Sequence, residues 1–304
     1  RLSVESSAGG LLTAEAAARA PAHTALSGPA GGVQGAWAVG QRAGRTRLLT
    51  LDMGGTSTDV SLVLDVLRAE DEGVVADQPI RLPQLPIETV GAGGGSIAWV
   101  DAGGALRVGP HSAGARPGPA CYGHAGDDAQ ATVTDAHVVL GRLPSLLGGE
   151  LPLDVAAAQS AVGRLARSLS ATPTDTAAAI IAIAAASMAR ACKRVSTDRG
   201  VDPRTLTLVA FGGAGGQHAC ELADELGCRD VLFPADPGVL SAEGIAAATP
   251  VAGVTATLML PQRAWGGPQP TGPVTAHAAG SLAVALADVR RAARASLATT
   301  WGPD

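Results

Sequence analysis

Two short apolar runs joined by a glycine- and hydroxyl-rich tip constrain this chain more than any other stretch. Residues 47–64 read RLLTLDMGGTSTDVSLVL: a strand ending in Asp52, a turn built from Gly54, Gly55, Thr56, Ser57 and Thr58, and a return strand opened by Asp59. Glycine lets backbone turn tightly and approach an anion, and successive N–H groups in a turn form an anion-binding concavity. The hydroxyls add donors. Asp52 and Asp59 would repel a bare phosphate, so they make more sense holding Mg2+, through water. The tip therefore reads as a phosphate and magnesium site, the alternative being a two-residue hairpin with glycine at its turn. No Gly-Lys-Ser/Thr follows, so it is not a Walker loop.

A second unit of this kind lies downstream. The apolar strand over residues 205–211 runs into Gly212, Gly213, Ala214, Gly215 and Gly216, and residues 217–226 read as a helix. Strand, glycine turn and helix is how backbone approaches a nucleotide at the end of a sheet. The Gly-x-Gly-x-x-Gly spacing and the later ribose-binding acid of dinucleotide folds are missing. His218, at the helix start, is a candidate donor to phosphate or substrate, with capping or packing as the alternative. Another glycine loop, residues 91–95, precedes a short strand over 96–101 that turns back through 106–108.

Between these units the spacing predicts several helices. One covers residues 13–19. Another begins at Ser27 or Gly28 with Pro29 in its first turn, and its Ala30, Gly31, Gly35 and Ala38 permit close packing. Residues 80–90 are broken by Pro83 and Pro86 and suit only an edge strand or connector. Residues 148–172 read as an Ala/Leu helix, a peripheral lid. Thr174 or Asp175 caps the best-defined helix, whose Ile180, Ile183, Ser187, Met188, Ala191 and Val195 share one face. Arg190, Lys193 and Arg194 stand where its C-terminal dipole favours cations, and Gly200 and Pro203 end it. That face reads as core. Residues 229–233 read as a strand and 237–248 as a helix. Beyond Pro250 come a short strand to Leu260, a Pro/Gly-rich connector through Gly272 and a helix over 281–299.

Residues 108–143 lack periodicity until Thr134 or Asp135 caps a helix, and they carry the single Tyr of the chain with His111, Cys121 and His124. A loop of this length is usually functional or disordered. Cys121, His124, Asp135 and His137 are ligand types for Zn2+ or Mn2+; the alternative is a buried thiol beside surface histidines.

Composition excludes some partners. The net charge is −5 and no basic cluster exceeds Arg290-Arg291, which argues against nucleic acid. The longest uncharged helical run, residues 176–189, is shorter than the ~20 apolar residues of a membrane span. No secretory signal is evident. The four cysteines, Cys121, Cys192, Cys220 and Cys228, lack a C-x-x-C pair and favour free thiols in a reducing cytoplasm. With 46% hydrophobic but only 2% aromatic residues, Ala, Val and Leu must build the core. The chain opens on Arg1, not Met, and reads as a fragment.

The stretches SGPAGGVQGA, LDMGGTSTDV, VGAGGGSIAWVD, SAGARPGPACYG, TVTDAHVVLGRL, FGGAGGQHA and PGVLSAEGI, in this order, closely resemble the A-type, ATP-binding subunit of the hydantoinase/oxoprolinase family over roughly residues 3–250. The resemblance implies an α/β fold of the actin, sugar-kinase and heat-shock-ATPase type (ribonuclease H-like), with a mixed sheet flanked by helices and a Gly/Pro-rich loop insertion. In such a fold two lobes grip ATP. Residues 52–58 would be the second phosphate loop, residues 212–216 the adenosine loop, and the helices from Gly28 and Asp175 the connectors between lobes. The other phosphate loop, an Asp-x-Gly-Gly-Thr hairpin of an N-terminal lobe, has no counterpart upstream of Ser3. The implied partition is an N-terminal segment and connecting helix (1–46), the ATPase-like domain (47–250, with 143–172 as a helical subdomain) and a linker opening a C-terminal unit (251–304).

The implied chemistry is ATP-dependent opening of a cyclic amide, a hydantoin or 5-oxoproline, by phosphorylation of the amide oxygen so that water can attack. The resemblance places Asp52 and Asp59 on Mg2+ and water, residues 54–58 on phosphate, residues 212–216 on base and ribose, and His218 on phosphate or substrate. The glycines of 91–95 would line the cleft between lobes. A B-type subunit or domain is the implied partner in an oligomer. The alternatives are the nucleotide-binding subunit of an ATP-dependent acetone- or acetophenone-type carboxylase and a non-catalytic nucleotide-binding module.

Overall fold

The computed structural model describes residues 2–75, 78–126, 128–251 and 276–301. A small hairpin, β1 (Ser3–Glu5) and β2 (Leu11–Thr13), leads into helix α1 (Ala14–Arg19), capped by Thr13. Helix α2 (Ser27–Arg42) starts where its proline predicts but has no side-chain cap of its own; Ser7 Oγ accepts the Leu26 N–H at 2.9 Å instead. Strands β3 (Arg47–Met53) and β4 (Thr58–Leu64) form the hairpin expected from the apolar runs. A peripheral pair, β5 (Gly73–Val75) and β6 (Gln78–Ile80), precedes β7 (Ile87–Val90), which begins immediately after Pro86, where the missing proline N–H no longer interrupts a ladder. Then follow the pair β8 (Ser96–Val100) and β9 (Leu106–Ser112), helix α3 (Val133–Val139) and the small hairpin β10 (Ser145–Leu146) and β11 (Leu151–Pro152). Helices α4 (Val155–Ser168) and α5 (Pro173–Val195) lead to β12 (Thr207–Phe211), α6 (Ala219–Leu226), β13 (Asp230–Leu232), α7 (Leu240–Ala247) and α8 (Ala276–Trp301).

Five strands make the central mixed sheet in the order β13-β12-β3-β4-β7. β4 runs antiparallel to β3 and β7 antiparallel to β4, whereas β12 joins β3 in parallel and β13 joins β12 in parallel. A three-strand meander extended by two parallel strands beyond its first member is the ribonuclease H-like arrangement. Both faces are covered, which explains why β3 and β12 read as nearly continuous apolar runs. Alternation sorts their side chains: Leu49, Leu51, Met53, Leu208 and Ala210 pack with Ile180, Ala184 and Met188 of α5, while Leu48, Val209 and Phe211 pack with Ala30 and Val33 of α2 and Leu240 of α7.

The small residues of α2 are used as expected. A Cβ on Gly35 would stand 2.5 Å from the Leu240 carbonyl oxygen, and one on Gly244 of α7 would stand 1.9 Å from that of Gly31. The two backbones touch, which fixes the N-terminal end of α7 over the end of β3.

Several boundaries differ from the sequence reading. The 148–172 helix is shorter, Val155–Ser168, because Asp154 caps it by accepting the Ala157 N–H, and β10 and β11 take the residues before it. The caps of α3 and α5 are Thr132 and Thr172, with Asp135 and Asp175 as third helical residues facing back, instead of the caps themselves. Helix α5 continues past its uncharged centre, so that by length and apolarity the segment Pro173–Arg199 would suffice for a membrane span. It is a core helix: Ile180, Ala184, Met188, Ala191 and Cys192 are almost wholly buried against the sheet and its neighbours. Helix α8 is longer than the expected 281–299, and the expected strand to Leu260 and the connector to Gly272 lie outside the described residues.

Candidate functional site at the carboxyl edge of the sheet

The parallel strands β3 and β12 end side by side, with Asp52 paired to Phe211. Across the hairpin Asp52 is the direct antiparallel partner of Asp59, so the two carboxylates stand on one face of the sheet, the face covered by α2 and α7. Ser241 Oγ, at the start of α7, donates to Asp52 Oδ2 at 3.3 Å, and Thr89 Oγ1 of the edge strand donates to Asp59 Oδ1. Partial burial, with the nearby Asp59 charge adding to it, raises the Asp52 carboxyl from 3.8 to about 6; burial also raises Asp59, opposed by the Thr89 hydroxyl. Two carboxylates held together, each reluctant to ionise, suit a divalent cation. Mg2+ characteristically takes one or two carboxylates and completes its shell with water and phosphate oxygen.

The turn between them spans residues 54–57 and is closed by the Gly54 N–H on the Ser57 carbonyl at 3.1 Å, so it is longer than a two-residue hairpin. Among the described residues nothing lies within 4 Å of where a Cβ on Gly54 or Gly55 would point; these glycines leave open space over the backbone, as a phosphate cradle requires. Thr56 is exposed and Ser57 half-buried, whereas Thr58 is fully buried and gives its hydroxyl proton to the Ala92 carbonyl at 2.5 Å. Thr58 is thus a structural strut, and Thr56 and Ser57 remain as the hydroxyls of the tip.

The glycine loop after β7 braces this tip. Gly94 and Gly95 donate their N–H groups to the Gly54 and Gly55 carbonyls at 3.0 and 2.6 Å, and Gly93 is required because a Cβ there would stand 2.6 Å from the backbone of Thr56. Thr134, at the start of α3, returns both its N–H and its hydroxyl to the Gly94 carbonyl at 2.8 Å. Ser112 Oγ, where β9 ends, approaches Thr56 Oγ1 at 3.4 Å.

The loop 212–216 closes the other side. Gly212 adopts φ +81°, and a Cβ there would lie 2.4 Å from Asp52 Oδ1; no other residue fits. Its N–H is held by the Pro237 carbonyl at 2.9 Å, and the Ala214 N–H donates to the Met53 carbonyl at 2.9 Å. Gly213 and Gly216 are exposed, and Gly215 is buried under β3. The two glycine units read from sequence therefore form one edge, with backbone from both within reach of a single ligand.

Two expectations are corrected. His218 does not face this edge: it is fully buried, and its Nε2 lies 3.2 Å from Nε2 of His137, also fully buried. The set Cys121, His124, Asp135 and His137 is not assembled as a metal site; among the described residues no group of three His, Cys, Asp or Glu side chains is placed to hold one. The reason is local. The Asp135 carboxylate accepts from the N–H groups of Ala120, Cys121 and Thr132 and from the Thr132 hydroxyl, so its oxygens tether the 109–124 loop to α3. Burial and the neighbouring Asp135 charge push the Cys121 thiol up, away from nucleophilic character, and His124 is exposed. A surface cleft of about 600 Å³ lined by Arg47, Arg204, Arg229 and Asp230 lies at the opposite, amino-terminal end of the parallel strands and involves none of these groups.

Ser241, Thr89 and Ser112 were assigned no role from the sequence, although Ser112 and Ser241 stand within the motifs SAGARPGPACYG and PGVLSAEGI. Each reaches the site through sheet register or helix packing, and each is an ordinary hydroxyl in its own neighbourhood.

Comparison with known proteins agrees with the fold. The sequence model of the hydantoinase/oxoprolinase family matches residues 1–254. The chain is 43% identical over 213 residues to the caprolactamase alpha subunit of Pseudomonas jessenii, covering 68% of this chain and 30% of the relative. The crystal structure of that ATP-dependent caprolactamase superposes with a TM-score of 0.70 at 38% identity, over 80% of this chain and 36% of the other. A 5-oxoprolinase of Pestalotiopsis fici is 41% identical over 237 residues, 73% of this chain and 18% of the relative. The nucleotide-free structure of an ATP-dependent acetone carboxylase superposes with a TM-score of 0.77 at 28% identity, covering 99% of this chain and 42% of that one. The chain thus spans less than half the length of these relatives. With the family match over 1–254 and the ribonuclease H-like sheet carrying its glycine turns on one edge, this chain belongs to the hydantoinase/oxoprolinase family.

Proposed function

We propose that the protein to which this chain contributes uses ATP to hydrolyse a cyclic amide of the hydantoin, 5-oxoproline or lactam class, and that residues 52–59 and 212–216 form half of its nucleotide site. The observation that carries this reading is the Asp52–Asp59 pair facing Gly212 across the carboxyl edge of the sheet, in a family with ATP-dependent caprolactamase and 5-oxoprolinase members. In the overall reaction two waters are consumed: one opens the ring, its OH joining the carbonyl carbon and its H the nitrogen as the C–N bond breaks, and the second balances the conversion of ATP to ADP and phosphate. Asp52 and Asp59 would hold Mg2+, which when bound neutralises phosphate charge. The backbone of 54–57 with the Thr56 and Ser57 hydroxyls orients the phosphates, and the open face of Gly213 with the exposed backbone of Gly216 receives the nucleoside. The reading includes an opposing lobe, a B-type partner subunit or domain and a cytoplasmic setting. No role for Zn2+ or Mn2+ enters it.

A carboxylase reading has support of its own, the superposition of 99% of the chain on acetone carboxylase at a TM-score of 0.77. One assay decides between them: ATP turnover by the full-length protein, with and without its partner, on 5-oxoproline, hydantoin, caprolactam and acetone with bicarbonate. Turnover stimulated by a cyclic amide supports the hydrolase. Stimulation by acetone with bicarbonate alone transfers the assignment to the carboxylase, and nucleotide binding without turnover on any of them leaves a binding module.

A further inference from the structure

The paired imidazoles of His137 and His218 have no part in the site as described, yet they lie directly beneath it. Both side chains are fully buried, the rings meet edge to face with centroids 4.8 Å apart, and Nε2 faces Nε2 at 3.2 Å. Burial holds both rings neutral, so one Nε2 carries the proton and donates while the other accepts. The acceptor ring must then carry its proton on Nδ1, and neither Nδ1 has a partner among the described residues. A buried N–H without an acceptor is unfavourable, and two apolar side chains of similar shape would fill the space at less cost. Packing alone does not account for the pair.

Its position does. His218 ends the turn that begins at Gly212, and its own N–H donates to the Gly215 carbonyl. His137 lies one helical turn after Thr134, whose N–H and hydroxyl both hold the Gly94 carbonyl. Gly94 in turn donates to Gly54 at the hairpin tip, and Ala214 donates to Met53 at the base of the same hairpin. These contacts close a ring: hairpin tip, glycine loop 91–95, helix α3, the histidine pair, loop 212–218 and back to β3. On its outer side the Arg142–Glu221 ion pair, at 2.6 Å, bridges the end of α3 to α6 in parallel with the imidazoles.

We infer that the His137–His218 hydrogen bond is a positioning link that couples the phosphate hairpin to the 212–216 loop, so that ordering one by ligand favours binding at the other. The inference rests on the nucleotide reading of these two loops. A hydrogen bond between two rigid rings transmits a displacement of α3 to the loop in a way that an apolar contact, free to slide, does not. The rings touch no ligand; their role is to set the distance between the two loops.

The test uses the full-length protein and two probes, magnesium tripolyphosphate for the hairpin and adenosine for the loop. Each is titrated calorimetrically alone and in the presence of the other, which gives a coupling factor. Unmodified protein should bind each probe about fivefold more tightly when the other is present. H137L should bring that factor below about twofold while leaving thermal stability equal or higher. H137Q, whose amide nitrogen stands at about the Nε2 position, should keep it. The inference is overturned by H137L retaining full coupling, by H137Q losing it as completely as H137L, or by a factor of one in unmodified protein that binds both probes; this last result leaves the nucleotide reading intact. Absence of binding by either probe overturns that reading and the inference with it.

Discussion

Replacing Asp52 with asparagine should make the protein more stable and less able to bind. The carboxyl rises from 3.8 to about 6 in the folded state because burial and Asp59 both oppose its charge. At 1.36 kcal/mol per tenfold change in acidity, ionised Asp52 therefore opposes folding by about 3 kcal/mol near neutral pH. The sign follows from the raised folded value: below about pH 4 both states are protonated and nothing is lost, and the loss grows as pH rises from about 4 to 6 and then stays constant. The asparagine amide would keep the contact with Ser241 and remove the repulsion. Allowing for partial solvation, the expected gain at pH 7.5 without Mg2+ is about 1–3 kcal/mol, and it should vanish by about pH 4. Urea unfolding at both pH values, with and without Mg2+, reads this out; magnesium nucleotide binding by calorimetry should be lost in the same variant. A D52N protein no more stable than its parent at pH 7.5, or a gain that persists unchanged at pH 4, would refute the picture of a carboxylate held charged against burial and the neighbouring Asp59.

Other substitutions probe other links. T89V removes the hydroxyl that favours ionised Asp59, so magnesium affinity measured across pH should fall off at a higher pH than in the parent, with thermal stability in Mg2+-free buffer little changed. G212A places a methyl 2.4 Å from Asp52 Oδ1 at a positive φ, and should weaken nucleotide binding by tenfold or more, about 1.4 kcal/mol, in equilibrium titration. G244A sets a Cβ 1.9 Å from the Gly31 carbonyl oxygen, which forces α2 and α7 apart; a loss of about 1–3 kcal/mol in chemical denaturation is expected. D135A leaves the N–H groups of Ala120 and Cys121 without their acceptor and should cost about 2–4 kcal/mol by the same measure, whereas metal chelators should have no effect on stability at this locus.

The parts of the site legible in the sequence were those whose reason is local. Gly212 takes a positive φ that its own backbone reserves for glycine, and a strand that ends in Asp followed by glycines is recognisable without any knowledge of what packs on it. The same holds for α5, whose apolar face is written at helical spacing. Cap positions lay just beyond this limit: Thr132 and Asp135, like Thr172 and Asp175, form a Thr-x-x-Asp pattern, but other Thr and Asp residues beside them compete for the role, and only the backbone geometry of the first turn decides.

What was not legible depends on register and on crossovers. Thr89 reaches Asp59 because β7 pairs with β4 in one register, and a shift of one residue would turn it to the other face. Ser241 reaches Asp52 across 189 residues of chain. The metal reading of Cys121, Asp135 and His137 failed for a related reason. Ligand chemistry was visible in the residue types, but the demand of nearby backbone N–H groups for an acceptor was stronger, and it claimed Asp135.

Several unfavourable features of the fold gather at one edge. Two carboxylates are held above their ordinary range, Gly212 sits where no side chain fits, and two imidazoles lie buried with unpartnered Nδ1 atoms, all around the carboxyl ends of β3 and β12. Such an edge is more stable with ligand than without. Saturating magnesium nucleotide at about a hundred times its dissociation constant adds about 2.7 kcal/mol to the folded state. That concentration of ligand offsets a cost of the size that burial, with the Asp59 charge adding to it, imposes on ionised Asp52. The stability gained on adding Mg2+ should therefore be largest at neutral to alkaline pH, where the carboxylates are fully charged, and should shrink as pH falls through about 6.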